Sequence, residues 1–147
     1  MEKNQVDIAV FFCTHLREKV QVILKCAAGS GTGRFRPVSL PCSGKLEEFQ
    51  LTRALETGAR GVALFGCPEG ACRYLVGSSR ARGRVGHTAR ILEEIGLGKD
   101  RVRRFVVDGQ AGQDLPQDFS RWLEGVRAMD LPGVPRSAAR QEQEGGA

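Results

Sequence analysis

The chain has 147 residues, 41% of them hydrophobic, with 22 Lys and Arg against 17 Asp and Glu for a net charge of +5. That length suits one domain with its own core, and no apolar run approaches the roughly 18 to 20 residues of a membrane span. The positive charge admits nucleic acid in principle. With 6% aromatic residues and no basic stripe interleaved with aromatics, however, base stacking has no support, and an acidic protein partner fits the charge equally well.

The opening residues, Met1 to Gln5, lack the basic region and small-residue cleavage site of a secretory signal, so a cytoplasmic location is expected. Val6 to Phe12 then reads as a buried strand ending at Cys13. Thr14 to Ala28 reads as a helix with Val20, Ile23 and Leu24 at helical spacing, although Val20 to Leu24 would also suit a strand. Gly29-Ser30-Gly31-Thr32-Gly33-Arg34 breaks that element. It lacks the glycine spacing and the Lys-Ser/Thr pair of a phosphate loop, and reads as a plain connection.

Arg36 to Leu40 is a second short strand, followed by Pro41-Cys42-Ser43-Gly44. Lys45 to Thr57 is expected to be helical, with Leu46, Phe49, Leu51, Ala54 and Leu55 as its apolar stripe and Gly58 as its stop. Gly61 to Phe65 makes a third buried strand, running straight into Gly66-Cys67-Pro68-Glu69-Gly70-Ala71-Cys72. A long helix is predicted from Ser79 to Ile95, closed by Gly96, then a fourth strand from Val102 to Val107. A last helix follows from Leu115 to Met129, with Phe119, Trp122, Leu123 and Val126 on one face. Alternating strands and helices imply an α/β fold, a small flavodoxin-like or Rossmann-like parallel sheet of about four strands with helices on both faces. Residues 1–130 are read as one α/β domain. Residues 131–147, rich in Pro, Gly, Gln, Glu and Ala, are read as a disordered tail.

The chemistry follows from position. A reducing compartment disfavours disulfides, and five cysteines cannot all pair within one chain, so metal binding or catalysis is the expected use. Cys13, Cys42 and Cys67 each follow a strand, and Cys72 lies on the same loop as Cys67. In an open α/β sheet the ligand crevice lies beyond the carboxyl ends of the strands. Neighbouring strands are about 4.7–4.9 Å apart, so these thiols are expected to converge on one edge. Four thiolates are the usual complement of a 2Fe–2S or 4Fe–4S centre. Zinc is the chemical competitor, in a stabilised interaction module without redox activity, although paired CxxC knuckles are missing. A thiol oxidoreductase built on Cys67 and Cys72 is disfavoured by their spacing, since the usual redox pair is CxxC. His15 and His87 are the only histidines. A Rieske-type centre needs two on one iron, and His87 belongs in mid-helix, so a histidine ligand is not expected. Arg80, Arg82 and Arg84 open the helix after the cysteine loop and are candidates for a docking surface facing an acidic partner.

Several of these stretches also resemble a known family. Pro41-Cys42-Ser43-Gly44, Gly58-Ala59-Arg60-Gly61-Val62, and Gly66-Cys67-Pro68-Glu69-Gly70-Ala71-Cys72-Arg73-Tyr74, with Gly77 and Arg84-Val85 beyond, resemble the delta subunit of methyl-viologen-reducing hydrogenase over residues 6 to 125. The resemblance implies a 2Fe–2S cluster. It also implies electron relay from a hydrogenase or dehydrogenase subunit to the flavin-containing subunit of heterodisulfide reductase-type complexes. It carries Cys42, Cys67 and Cys72 onto the family's cysteines, and Cys13 onto one after its first strand. The family usually has several cysteines in the first loop, where this chain has Cys13-Thr14-His15-Leu16. Arg60 stands where Asp is usual, and Arg73 where His is common. The fourth ligand therefore lies between Cys13, which is expected, and Cys26.

Overall fold

The computed structural model describes residues 6–29, 33–68, 77–107 and 115–129. Cys72 and the expected tail fall outside these residues. Strands β1 (Val6–Cys13), β2 (Gly33–Leu40), β3 (Gly61–Gly66) and β4 (Val102–Val106) alternate with helices α1 (Arg17–Gly29), α2 (Glu48–Glu56), α3 (Gly77–Glu94) and α4 (Leu115–Arg127). All strand pairs are parallel, in the order β2-β1-β3-β4, so the α/β expectation holds. Among the described residues, 3-10 turns at Thr14–Leu16, Ser43–Lys45 and Lys99–Arg101 lie between them.

The period of two along each strand sorts the core into two layers. Ile8, Val10 and Phe12 of β1, Ala63 and Phe65 of β3, and Phe105 of β4 pack under α1 and α4. Ala9, Phe11, Val62, Leu64 and Val102 turn the other way, beneath α2 and α3. On the first face Phe119 of α4 is fully buried, with the rings of Phe35, Phe65, Phe105 and Trp122 at 5.3–5.8 Å between centroids. Such tilted and offset aromatic contacts contribute about 0.5–1.5 kcal/mol each beyond the area they bury.

Details depart from the sequence reading for physical reasons. The helix reading of residues 14–28 prevails over the strand alternative, because Val20, Ile23 and Ala27 share one buried face while Val22 is exposed. The second helix begins at Glu48 rather than Lys45: the Glu47 N–H donates to Gln50 Oε1 at 2.8 Å, which sets the start. Phe49 is 63% exposed rather than part of the stripe, because it lies about 200° around the helix from buried Leu51. The second strand extends back to Gly33 and is a sheet edge, where Pro37 is tolerated. Gly58 and Gly96, the expected stops, have φ of +115° and +84°, backbone that favours glycine. Among the described residues no helix is long and apolar enough to cross a membrane.

Candidate metal centre

The order β2-β1-β3-β4 puts a topological switch between β1 and β3, since the chain leaves β1 towards β2 and returns to its other side. Ligand crevices of open α/β sheets lie at the carboxyl ends of the strands at such a point. Cys13 ends β1, and Cys67 follows β3 by one residue. Cys67 continues the Ala63, Phe65 alternation and therefore belongs to the α1/α4 face. Cys13 joins it there as the chain turns out of the sheet. Both are buried, at 1% and 6% exposure.

The 3-10 turn that follows β1 supplies a third group. Thr14 Oγ1 donates to the Leu40 carbonyl at 2.9 Å and lies 3.0 Å from Ser39 Oγ, fastening the turn to the end of β2. Leu16 turns into the core, and His15 stays at the surface with its Nε2 2.8 Å from Cys67 Sγ. The donor atoms of Cys13, His15 and Cys67 all lie within 4.8 Å of one another. Two thiols and an imidazole form a donor set for zinc, iron or an iron–sulfur centre. Sulfur and nitrogen ligands on one tetrahedral metal are about 3.5–3.8 Å apart. The His15–Cys67 contact would open by somewhat under about 1 Å, roughly a small rotation of an exposed ring, to accept one. The residues fit a metal group.

The remaining expected residues are placed differently. Cys42 is buried two residues after β2 and stands outside the three-donor group. Its Sγ accepts the Gly44 N–H at 3.4 Å. Cys26 is exposed on α1, also outside the group. Arg80 and Arg82 are exposed near the start of α3. Arg84 is not: its NH1 donates to the carbonyls of Gly44 and Leu46 at 2.7 and 2.6 Å, and lies 3.8 Å from Glu47. It clasps the loop that carries Cys42. Arg104 similarly donates to the Cys67 carbonyl at 2.9 Å, holding the second cysteine loop to β4. His87 lies within α3 and meets Glu48 of α2 at 2.8 Å. His15 is the residue that sequence reasoning set aside. Its signal was position, two residues beyond a strand-end cysteine.

The family model for methyl-viologen-reducing hydrogenase, delta subunit, matches residues 8–130. The chain belongs to this family. It is 34% identical over 132 residues to an F420-non-reducing hydrogenase iron-sulfur subunit of Archaeoglobus profundus, covering 87% of this chain and 91% of that one. To the vhu iron-sulfur subunit of the F420-non-reducing hydrogenase of Methanococcus voltae it is 34% identical over 94 residues, 64% of this chain and 65% of that protein. A third likeness is of another kind. A Ferredoxin:CoB-CoM heterodisulfide reductase chain of Methanosarcina mazei is 30% identical over 110 residues, 71% of this chain but 14% of that longer protein. The hydrogenase and heterodisulfide reductase associations that the resemblance implies thus recur in the names of its relatives.

Proposed function

We propose that the chain is a cytoplasmic electron-transfer subunit holding one 2Fe–2S cluster at the carboxyl edge of its sheet. It relays electrons to the flavin-bearing subunit of a heterodisulfide reductase-type complex from a hydrogenase or dehydrogenase subunit. The observation that carries this reading is the grouping of Cys13, His15 and Cys67 at the β1/β3 switch. Cys42 and Cys72 are the further thiols that the sequence nominates. The iron–sulfur naming of the Archaeoglobus and Methanococcus relatives supports the cofactor.

The partner is supported by the Methanosarcina protein, in which a stretch similar to this chain is part of the heterodisulfide reductase polypeptide itself. A unit tethered to a neighbour in one protein and separate in another is expected to dock on the same neighbour, with the tether supplying effective concentration. An iron–sulfur cluster supplies a one-electron couple when bound. This chain's residues would do the rest. Buried Cys13 and Cys67 exclude water from the sulfur ligands, Arg84 and Arg104 fix the two cysteine loops, and exposed Arg80 and Arg82 attract an acidic partner. Mixing the dithionite-reduced protein with the isolated flavin-bearing partner should reoxidise this chain and bleach the partner's flavin. A protein with no visible chromophore that transfers no electrons in that assay would overturn the reading.

A further inference from the structure

We propose that the groove between α2 and the edge strand β2 docks an acidic helix of a partner protein; it rests on the reading above only for the identity of that partner. The topology leaves the groove open. Helix α2 leaves β2 and enters β3, the two neighbours of β1, so it crosses over β1 and leaves the sheet edge beside it uncovered. Arg36 and Val38 lie next to Ala9 and Phe11 in the parallel register. On the opposite face of β2, Phe35 packs against the α1/α4 core, whereas Val38 stays 39% exposed. The result is a solvent-open cavity of about 280 Å³. Ala9, Phe11, Val38 and Ala54 form its apolar lining, with Arg36 on the strand bank and Arg53 on the helix bank.

Charge identifies the occupant. The other lining residues, Gln50 and Thr57, are neutral, so the groove holds two guanidinium groups and no carboxylate. The acidic residues at the start of α2 serve its other flank, where Glu48 meets His87 of α3 at 2.8 Å and Glu47 lies 3.8 Å from Arg84. An apolar floor between two exposed arginines suits an apolar side chain flanked by carboxylates. Shape selects a helix. Pro37 in β2 blunts the edge against an added strand, whereas packed helices lie about 8–10 Å apart, which sets a partner helix beside α2 over the uncovered face of β2. Side chains four apart on such a helix reach the floor together, and carboxylates beside them reach Arg36 and Arg53. Phe11 precedes Cys13 by two residues of β1, about 7 Å of strand, so a partner seated here lies close to the cysteine edge of the sheet.

The test uses the full chain, isotope-labelled for NMR, as wild type, Arg53→Glu and Arg36→Glu/Arg53→Glu. Titrated with the flavin-bearing partner subunit, the double variant should bind about ten-fold or more weakly than wild type, with the gap closing as salt is raised. Its melting temperature and visible spectrum should stay unaltered. Arg53→Glu alone, at an exposed helix position, should show a loss of about three-fold, and keeps the test decisive should Arg36→Glu disturb β2. Equal affinity of wild type and both variants would overturn the groove and leave the electron-transfer reading standing. If that subunit does not bind wild type, the partner reading fails, and a synthetic helical peptide with leucines at i and i+4 between glutamates becomes the probe. Amide shifts at Val38, Arg53 and Ala54 that the double variant abolishes would support the groove; their absence would overturn it. Inorganic phosphate at the same concentration is the control, and equal shifts with phosphate would make this a small-anion site and overturn the docking proposal.

Discussion

Replacing Arg84 by Met removes the clasp between α3 and the Cys42 loop while keeping most of the apolar stem. Its NH1 makes two bonds to backbone carbonyls, at 2.7 and 2.6 Å. Hydrogen bonds involving a charged group contribute about 1.5–3 kcal/mol each. The two share one nitrogen, and the side chain is 27% exposed, so water recovers part of the loss. The expected cost is about 2–3 kcal/mol. Glu47 adds little, being 55% exposed at 3.8 Å, where ion pairs contribute about 0–1 kcal/mol. For a domain of this size the loss corresponds to roughly 6–10 °C in melting temperature. Arg80→Met on the same helix removes no comparable clasp and should stay within about 0.5 kcal/mol of wild type. Denaturant titrations of the three proteins measure both numbers. An Arg84→Met variant as stable as Arg80→Met would refute the clasp and return Arg84 to the docking surface with its neighbours.

Phe119→Ala empties the centre of the aromatic cluster and should cost about 3–5 kcal/mol in urea unfolding; a loss under about 1 kcal/mol would mean the rings repack around the gap. Gly61→Ala places a Cβ at 3.0 Å from Val126 Cγ1 and 3.1 Å from both the Arg101 carbonyl and Trp122. The carbonyl cannot give way, so about 1–3 kcal/mol of overpacking is expected, and a melting temperature equal to wild type would contradict it. Arg80→Glu with Arg82→Glu should slow partner reduction, mostly at low ionic strength, and leave the visible spectrum unaltered. Identical rates at every salt concentration would remove both residues from the docking surface.

The sheet was legible because its strands are short apolar runs bounded by Gly, Pro and Cys, and because helices intervene between them. Strand order was not, since nothing local says that β2 and β3 flank β1 on opposite sides. That order sets Cys13 and Cys67 at the switch between β1 and β3. Phe49 was misplaced because counting apolar positions without the helix start gives the wrong face. Arg84 looked like its exposed neighbours Arg80 and Arg82, and only the fold brings carbonyls from forty residues away within reach of its guanidinium. His15 was passed over because an isolated histidine carries no pattern. Its meaning comes from a contact 52 residues distant.

The central claim is tested most directly by purifying the protein without oxygen, recording its visible spectrum, and counting iron, acid-labile sulfide and zinc. A brown protein with about two iron and two sulfide per chain, bleached by dithionite, is the predicted result. A colourless protein holding one zinc and no sulfide would contradict it.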